Sequence, residues 1–188
     1  MCSWKAHLDE VVGEILYDEA TLQKRVSELA DEITSYYQPL SGELVVISIL
    51  RGSVLFTSDL IRQIELPLTI DFMALSSYGA GSKTSGQVKI FKDISDFIEG
   101  KHALVVEDIV DTGLTLQYLM DLLKLQKPLS VKICTLFDKP SRRQNDLSAD
   151  FIGFEIPNKF VVGYGLDYDG QYRHLPYVGA LKPEVYTK

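Results

Sequence analysis

The sequence predicts an α/β fold in which a central, mostly parallel twisted sheet is flanked by helices. Apolar runs of strand length, such as Leu44–Leu50 and Ala103–Val106, alternate with segments that have the periodicity of helices. Runs without polar interruption are typical of strands that are covered on both faces. Polar and acidic residues follow these runs directly. In parallel sheets ligands bind at the carboxyl ends of the strands, so we expect the functional site there.

The segment Asp18–Tyr37 has apolar residues at three- and four-residue intervals, which predicts an amphipathic helix that ends before Pro39. Helices are also predicted over Val54–Ile64, with Ser53 as N-cap, and over Leu114–Leu125. Beyond the two apolar runs already named, the predicted strands are Leu68–Leu75, Val88–Phe91, Val131–Phe137, Phe151–Ile156, Phe160–Tyr164 and Tyr177–Leu181.

Length and composition are those of a globular protein of one domain. The chain has 188 residues, of which 46% are hydrophobic. Its net charge of −7 argues against broad electrostatic binding of nucleic acid or of an anionic membrane. The spacing of cysteine and histidine predicts neither a disulfide framework nor a zinc site. We find no signal peptide and no apolar run of membrane-spanning length, so we expect a cytoplasmic protein.

The string Val105–Thr115 carries most of the functional argument. It takes a buried strand through acidic residues into a Thr-Gly-Leu-Thr turn and a helix. Thr112 and Thr115 place hydroxyls beside the unpaired N–H groups of a helix N-terminus, which is an anion site. Gly113 allows the backbone to approach a phosphate closely. The turn alone could be a capped helix start, but the whole string indicates a phosphate site.

Carboxylates in the same string point to a sugar. Glu107 and Asp108 accept hydrogen bonds when ionised, which suits a pair of ribose hydroxyls. Two neighbouring carboxylates after a buried strand are costly unless a ligand or a cation pairs with them. Asp111 follows in the loop, near the group that is attached to the sugar. The string therefore predicts binding of a phosphorylated ribose.

Other nucleotide-binding motifs do not fit. The segment Gly79–Thr84 lacks the GxxxxGK spacing of a P-loop, and Leu50–Val54 lacks the GxGxxG of a dinucleotide-binding enzyme. The chain also has no GxSxG nucleophile elbow. Binding of a sugar phosphate by Val105–Thr115 is therefore the best supported hypothesis.

The string Val105–Thr115 resembles the phosphoribosyl-pyrophosphate-binding motif of the type I phosphoribosyltransferases. Ile49–Ser53 is similar to the pyrophosphate-contacting loop of that family, and Ser76–Gly79 is similar to its mobile catalytic loop. Phe160–Tyr168 and Tyr172–Pro176 resemble the C-terminal region of the hypoxanthine (hypoxanthine-guanine) phosphoribosyltransferases, particularly the bacterial ones. The resemblance runs from about residue 44 to the end of the sequence.

The resemblance implies how the phosphates are held. The residues expected to cradle the 5′-phosphate are Asp111, Thr112, Gly113, Leu114 and Thr115. The residues expected to contact pyrophosphate are Leu50, Arg51, Gly52 and Arg173. By the same analogy the Leu50–Arg51 peptide is strained or cis. A lid around Ser77 and Tyr78 would close over the bound substrates and exclude water.

The resemblance also implies a pocket for a purine base. Lys139 would donate to the purine O6, Phe160 would stack on the ring, and the Val161 backbone would read the pyrimidine edge. Asp111 would act as general base on the N7 proton. Asp167 lies in the same region and would bind Mg²⁺ beside pyrophosphate.

Glu107 and Asp108 would face the ribose hydroxyls directly or through a metal. Magnesium typically takes one or two carboxylates together with substrate phosphates and water, so Asp167 alone would be chemically sufficient.

The implied reaction is attack by a purine N9 on C1 of phosphoribosyl pyrophosphate, giving IMP from hypoxanthine or GMP from guanine. Two alternatives stay open: an enzyme for another base, such as xanthine or guanine alone, and a regulatory protein of the same fold that binds RNA. The acidic composition disfavours the second. The resemblance further implies a homodimer or homotetramer, with Leu44–Ile64 at the interface. It also implies one domain with a core over about 18–150, and a small base-binding hood subdomain formed by the N-terminus and about 151–188.

Overall fold

The computed structural model describes residues 4–77 and 88–187. In chain order the strands are β1 (Val12–Tyr17), β2 (Leu44–Leu50), β3 (Leu68–Ser77), β4 (Val88–Lys92), β5 (His102–Val110), β6 (Ser130–Asp138), β7 (Phe151–Glu155), β8 (Val161–Val162) and β9 (Val178–Leu181). Six of them form a sheet in the order β4-β3-β2-β5-β6-β7. All neighbours in it are parallel except β4, which pairs antiparallel with β3. The predicted fold class is confirmed.

The helices are α1 (Trp4–Val11), α2 (Glu19–Tyr37), α3 (Val54–Ile61), α4 (Leu114–Lys124) and α5 (Pro183–Tyr186). A 3₁₀ helix covers Pro140–Arg142. The start of α2 is fixed by Asp18, whose carboxylate accepts a hydrogen bond from the Thr21 N–H at 2.8 Å. Within the described ranges, none of the helices combines the length and the apolar character that a membrane span requires.

Ser53 occupies the N-cap position of α3, as predicted, but its side chain makes no capping bond. Its hydroxyl instead donates to the Ile49 carbonyl at 2.6 Å and lies 2.8 Å from the hydroxyl of Ser48. Ser48 in turn lies 2.8 Å from the Thr57 hydroxyl. All three hydroxyls are buried, where polar groups need partners, so they pair with one another beneath the loop that joins β2 to α3.

Both faces of the central sheet are covered, as the unbroken apolar runs predict. Leu44 and Val46 pack on the side of α2 and α3, whereas Val45, Ile47 and Ile49 pack on the side of α4. This division follows from the alternation of side chains along a strand. The central strands are thus packed on both faces, and the loops at their carboxyl ends start from this packed core.

A second, antiparallel sheet of order β1-β9-β8 lies beside the first. The sequence analysis missed β1. It also made the strand after Lys159 too long: only Val161–Val162 is strand, because Gly163, Tyr164 and Gly165 have positive φ and turn the chain. The division into a core and a hood stays a prediction, and β7 lies in the central sheet although it falls within the range 151–188 that was assigned to the hood.

Candidate active site

Two adjoining cavities open at the carboxyl ends of the parallel strands. The first has a volume of about 330 Å³, and its lining includes Glu107, Asp111, Thr112, Gly113 and Thr115. The second has a volume of about 550 Å³, and its lining includes Asp108, Asp111, Lys139, Phe160, Val161 and Asp167. Asp111 lines both cavities. The structure therefore brings most of the predicted site residues to one edge of the sheet.

The first cavity ends on the N-terminus of α4. Gly113 precedes this helix with a φ of 81°, and its carbonyl accepts hydrogen bonds from Asn145 Nδ2 at 3.0 Å and from the Gln117 N–H at 2.9 Å. A side chain at Gly113 would be strained and would press on Asn145. The first N–H groups of a helix have no acceptor within it, so this end of the cavity suits an anion. Leu114 contributes its backbone at the first helical position.

Glu107 lines the first cavity and Asp108 lines the second, and together these adjacent residues form an acidic wall. The Oε2 atom of Glu107 is buried and has no hydrogen-bond partner among the described residues. Burial, together with the charge of Asp108, raises the pKa of Glu107 well above its ordinary value. Burial also raises the pKa of Asp108 to about 6. Both carboxylates thus lack part of the compensation that an ionised group needs, and a donor or a cation could supply it.

The loop after β2 packs directly against the acidic wall. Its Leu50–Arg51 peptide is cis, as the resemblance implied, and Arg51 is exposed. Gly52 lies so close to the Asp108 carboxylate that a Cβ would overlap it. Gly165 has a φ of 101° and lies with equal closeness on the Gly52 carbonyl. The backbone at Gly52 therefore lies between the Asp108 carboxylate and the backbone at Gly165.

Asp167 and Arg173 form an ion pair beside this junction. Arg173 Nη2 lies 2.6 Å from Asp167 Oδ1, and Arg173 Nη1 donates to the Gly165 carbonyl at 2.6 Å. Asp167 lines the second cavity, but Arg173 is not among the described residues that line either cavity. The guanidinium here holds the loop that carries Asp167, and the predicted contact of Arg173 with pyrophosphate stays a prediction.

Lys139 forms part of the wall of the second cavity. This side chain is only 7% exposed, and its Nζ donates to the Lys159 carbonyl at 2.8 Å. Burial lowers the pKa of Lys139, and the charge of Arg142 acts in the same direction. Phe160 is 37% exposed and Val161 is buried, and both line the same cavity. The three residues predicted to read a base are thus together.

The site also includes charged residues that were not predicted, and two of them, Arg142 and Arg143, contact Asp111. Arg142 Nε donates to Asp111 Oδ1 at 2.6 Å. Arg143 Nη1 donates to the Asp111 carbonyl at 2.5 Å, and its Nη2 pairs with the buried Asp138. The only signal in the sequence was a pair of adjacent arginines in a polar loop after Lys139, because a loop has no periodicity that assigns a direction to its side chains.

The predicted lid cannot be placed in this geometry. Ser77 is the last residue of β3, where the described backbone ends. Tyr78 and the rest of the polar stretch to residue 87 lie outside the described residues.

Residues 13–169 match the family of the phosphoribosyl transferase domain. The chain belongs to this family. Its curated relatives narrow the class further. The chain is 51% identical over 175 residues to the hypoxanthine-guanine phosphoribosyltransferase of Bacillus subtilis (strain 168). This alignment covers 93% of this chain and 96% of the relative.

Two further proteins agree with this placement. The chain is 49% identical over 166 residues to the hypoxanthine phosphoribosyltransferase of Salmonella typhimurium, covering 88% of this chain and 93% of the relative. A crystal structure of a hypoxanthine phosphoribosyltransferase from Staphylococcus aureus superimposes with a TM-score of 0.92 at 45% identity. The superposition covers 99% of this chain and 100% of the Staphylococcus aureus chain.

Proposed function

We propose that this phosphoribosyltransferase acts in purine salvage and transfers the 5-phosphoribosyl group from phosphoribosyl pyrophosphate to N9 of hypoxanthine, and also of guanine. The products are IMP or GMP and pyrophosphate. The observation that carries the proposal is the pair of adjoining cavities, one ending on a helix N-terminus and one on a buried lysine, with Asp111 lining both. A phosphorylated sugar and a base can therefore meet at one carboxylate.

The first cavity suits the 5′-phosphate. We assign it to the segment from Asp111 to Thr115, with the backbone N–H groups at the start of α4 and the hydroxyls of Thr112 and Thr115 as donors. Pyrophosphate then belongs at the loop of Leu50, Arg51 and Gly52. Arg173 would join it after release from Asp167, because a guanidinium can bind phosphate in two-point contacts.

The second cavity suits a 6-oxopurine. The Lys139 ammonium has three donors and gives one to the Lys159 carbonyl, so it can offer another to the purine O6. Adenine carries an amino group at this position and cannot accept that hydrogen bond. Phe160 offers part of its ring for stacking, and the Val161 backbone lies beside it for the pyrimidine edge.

Asp111 is the proposed general base. As N9 forms a bond to C1, the bond from C1 to the pyrophosphate oxygen breaks and its electron pair leaves with pyrophosphate. The purine then carries an excess proton, which Asp111 accepts from N7. The Arg142 and Arg143 contacts fix both the carboxylate and the carbonyl of Asp111, so its position does not depend on the substrate alone.

The acidic side chains fit a magnesium ion that takes most of its ligands from the substrate. The described residues hold no group of three metal-ligating side chains, but they supply a buried, unpartnered oxygen on Glu107 and carboxylates on Asp108 and Asp167. We propose Asp167 as a ligand, with Glu107 and Asp108 binding the ion or the ribose hydroxyls. When bound, Mg²⁺ would neutralise the charge that develops on pyrophosphate.

The remaining assignments complete the proposal. A lid that includes Ser77 and Tyr78 would protect the reacting sugar from water. We also propose a cytoplasmic homodimer or homotetramer, with an interface at Leu44–Ile64, where Val54 and Leu55 are exposed apolar side chains of α3.

The test is a product assay with a binding control. The purified protein is incubated with hypoxanthine, phosphoribosyl pyrophosphate and Mg²⁺, and IMP and pyrophosphate are quantified together. The same preparation is tested for RNA by filter binding. We expect IMP and pyrophosphate in equal amounts and no retained RNA. RNA binding without IMP formation would favour a regulatory protein, and pyrophosphate without IMP would mean hydrolysis.

A further inference from the structure

Tyr186 of α5 lies at the second cavity, although it was not among the individual residues predicted for the site. It lines this cavity together with Lys139, Phe160 and Val161. The ring centroids of Tyr186 and Phe160 are 5.2 Å apart and their planes are inclined by 30°, so the two rings are stacked. Phe160 nevertheless remains 37% exposed. One side of the Phe160 ring is thus covered by Tyr186, and part of the ring is left open.

The helix that carries Tyr186 is held by hydrogen bonds to two other segments of the chain. The Tyr168 hydroxyl donates to the Val185 carbonyl at 2.9 Å, and the Tyr168 ring stands perpendicular to Phe160 with centroids 5.4 Å apart. The Lys182 N–H donates to the Val11 carbonyl at 3.0 Å. These bonds hold α5 from both sides, although a helix of four residues would not persist alone.

We propose that Tyr186 is a positioning residue of the purine site: it backs Phe160, so that the bound base forms the third layer of a Tyr186–Phe160–purine stack. The inference rests on the proposed function and deepens it. An exposed aromatic ring loses rotamer freedom when a base stacks on it, and that loss weakens binding. A Phe160 ring that is already held between Tyr186 and Tyr168 has lost this freedom before the base arrives.

The stack affects one substrate and not the other. Tyr186 lines the second cavity and is not among the described residues that line the first, where we assign the 5′-phosphate. Loss of its ring should therefore weaken binding of the base and leave binding of phosphoribosyl pyrophosphate unaffected. If Tyr186 only supported the fold, its loss would weaken binding of both substrates, or would lower the melting temperature without changing either KM.

The experiment compares the parent enzyme with Tyr186→Ala and Tyr186→Phe. The matched control is Tyr36→Ala, because Tyr36 is also a partly exposed tyrosine packed on a phenylalanine, Phe151, but it lies on α2 away from both cavities. For each protein, KM for hypoxanthine, KM for phosphoribosyl pyrophosphate, kcat and the melting temperature are measured.

We expect Tyr186→Ala to raise KM for hypoxanthine by about 3- to 10-fold, from the usual strength of an aromatic pair, and to leave KM for phosphoribosyl pyrophosphate within about twofold. Tyr186→Phe should keep the parent values, since it retains the ring. Tyr36→Ala should change neither KM. If Tyr186→Ala does not fold, Tyr186→Leu keeps the apolar bulk without the ring and should show the same split.

An active parent enzyme whose two KM values respond equally to loss of the Tyr186 ring, or do not respond, would overturn this inference alone. So would failure of Tyr186→Phe to restore the KM for hypoxanthine. A parent that forms no IMP would overturn the proposed function and this inference with it.

Discussion

Replacing Gly165 by alanine should disrupt the junction between the loops that we assign to pyrophosphate. Gly165 has a φ of 101°, which disfavours any side chain, and an added Cβ would overlap the Gly52 carbonyl oxygen. Gly52 itself packs against the Asp108 carboxylate, which a Cβ on Gly52 would overlap. The Gly165 carbonyl also accepts the bond from Arg173 that holds the Asp167 loop. The substitution therefore moves two loops of the site together.

The size of the effect follows from the contact. A Cβ atom keeps at least 3.0 Å from such an oxygen, so the two loops must separate by roughly 1 Å, and a misplacement of that size in an active site typically costs about 100-fold in rate. The positive φ adds a strain of about 1–3 kcal/mol to the folded state. We therefore expect Gly165→Ala to lower kcat/KM for phosphoribosyl pyrophosphate about 100-fold in a protein that still folds.

Gly100→Ala separates the clash from the strain. Gly100 has a φ of 71°, and a Cβ there would meet nothing within 4 Å. Both variants should have a lower melting temperature than the parent, but only Gly165→Ala should have lower activity. Steady-state kinetics and thermal unfolding of both proteins provide the comparison. Activity of Gly165→Ala within about threefold of Gly100→Ala would refute the claim that this junction positions the pyrophosphate loops.

Three further predictions concern two carboxylates and the lysine of the site. Asp111→Asn should lower kcat with hypoxanthine by about 100-fold or more, with KM for phosphoribosyl pyrophosphate nearly unchanged, because only the proton acceptor is lost. Lys139→Ala should raise KM for hypoxanthine by about 10- to 100-fold and affect phosphoribosyl pyrophosphate much less, as expected for loss of a charged hydrogen bond. Glu107→Gln should gain stability relative to the parent as pH rises from about 4 to 7. A buried acid with a raised pKa binds more protons in the folded than in the unfolded protein, so folding is disfavoured as pH increases.

Each of these predictions has a result that contradicts it. Near-normal turnover of Asp111→Asn would remove Asp111 as the base. Equal losses for both substrates in Lys139→Ala would mean that Lys139 does not read the base. Urea unfolding of the ligand-free proteins tests Glu107→Gln, and a difference in unfolding free energy that stays constant between pH 4 and 7 would show that Glu107 ionises as it does in the unfolded chain.

The central sheet was predictable because its signal is local. The strands β2, β5 and β6 are apolar runs that must be covered on both faces. The face of the sheet on which each side chain is buried follows from the alternation along the strand. The polar ends of these runs then had to share one edge of the sheet, which brought Asp111 and Lys139 into one cavity. The predicted position of the site rests on this geometric consequence, whereas the roles of most individual residues were implied by the resemblance to the type I phosphoribosyltransferases.

The elements that were missed depend on distant partners. The strand β1 is half exposed and is stabilised by pairing with β9, more than 160 residues away in the register Val12 to Leu181. The hydroxyl of Ser53 was available for capping, but the buried Ser48 competes for it. The contacts of Arg142 with Asp111 and of Tyr186 with Phe160 join segments that are distant in sequence, so spacing along the chain does not predict them.

The most direct test of the central claim is a base panel. Hypoxanthine, guanine, xanthine and adenine are each supplied with phosphoribosyl pyrophosphate and Mg²⁺, and nucleotide formation is measured for the parent and for Lys139→Ala. The two-cavity site predicts efficient turnover of hypoxanthine and guanine by the parent, very little turnover of adenine, and a discrimination against adenine that falls when Lys139 is removed. Turnover of adenine comparable to that of hypoxanthine in the parent would contradict the assignment of the second cavity to a 6-oxopurine.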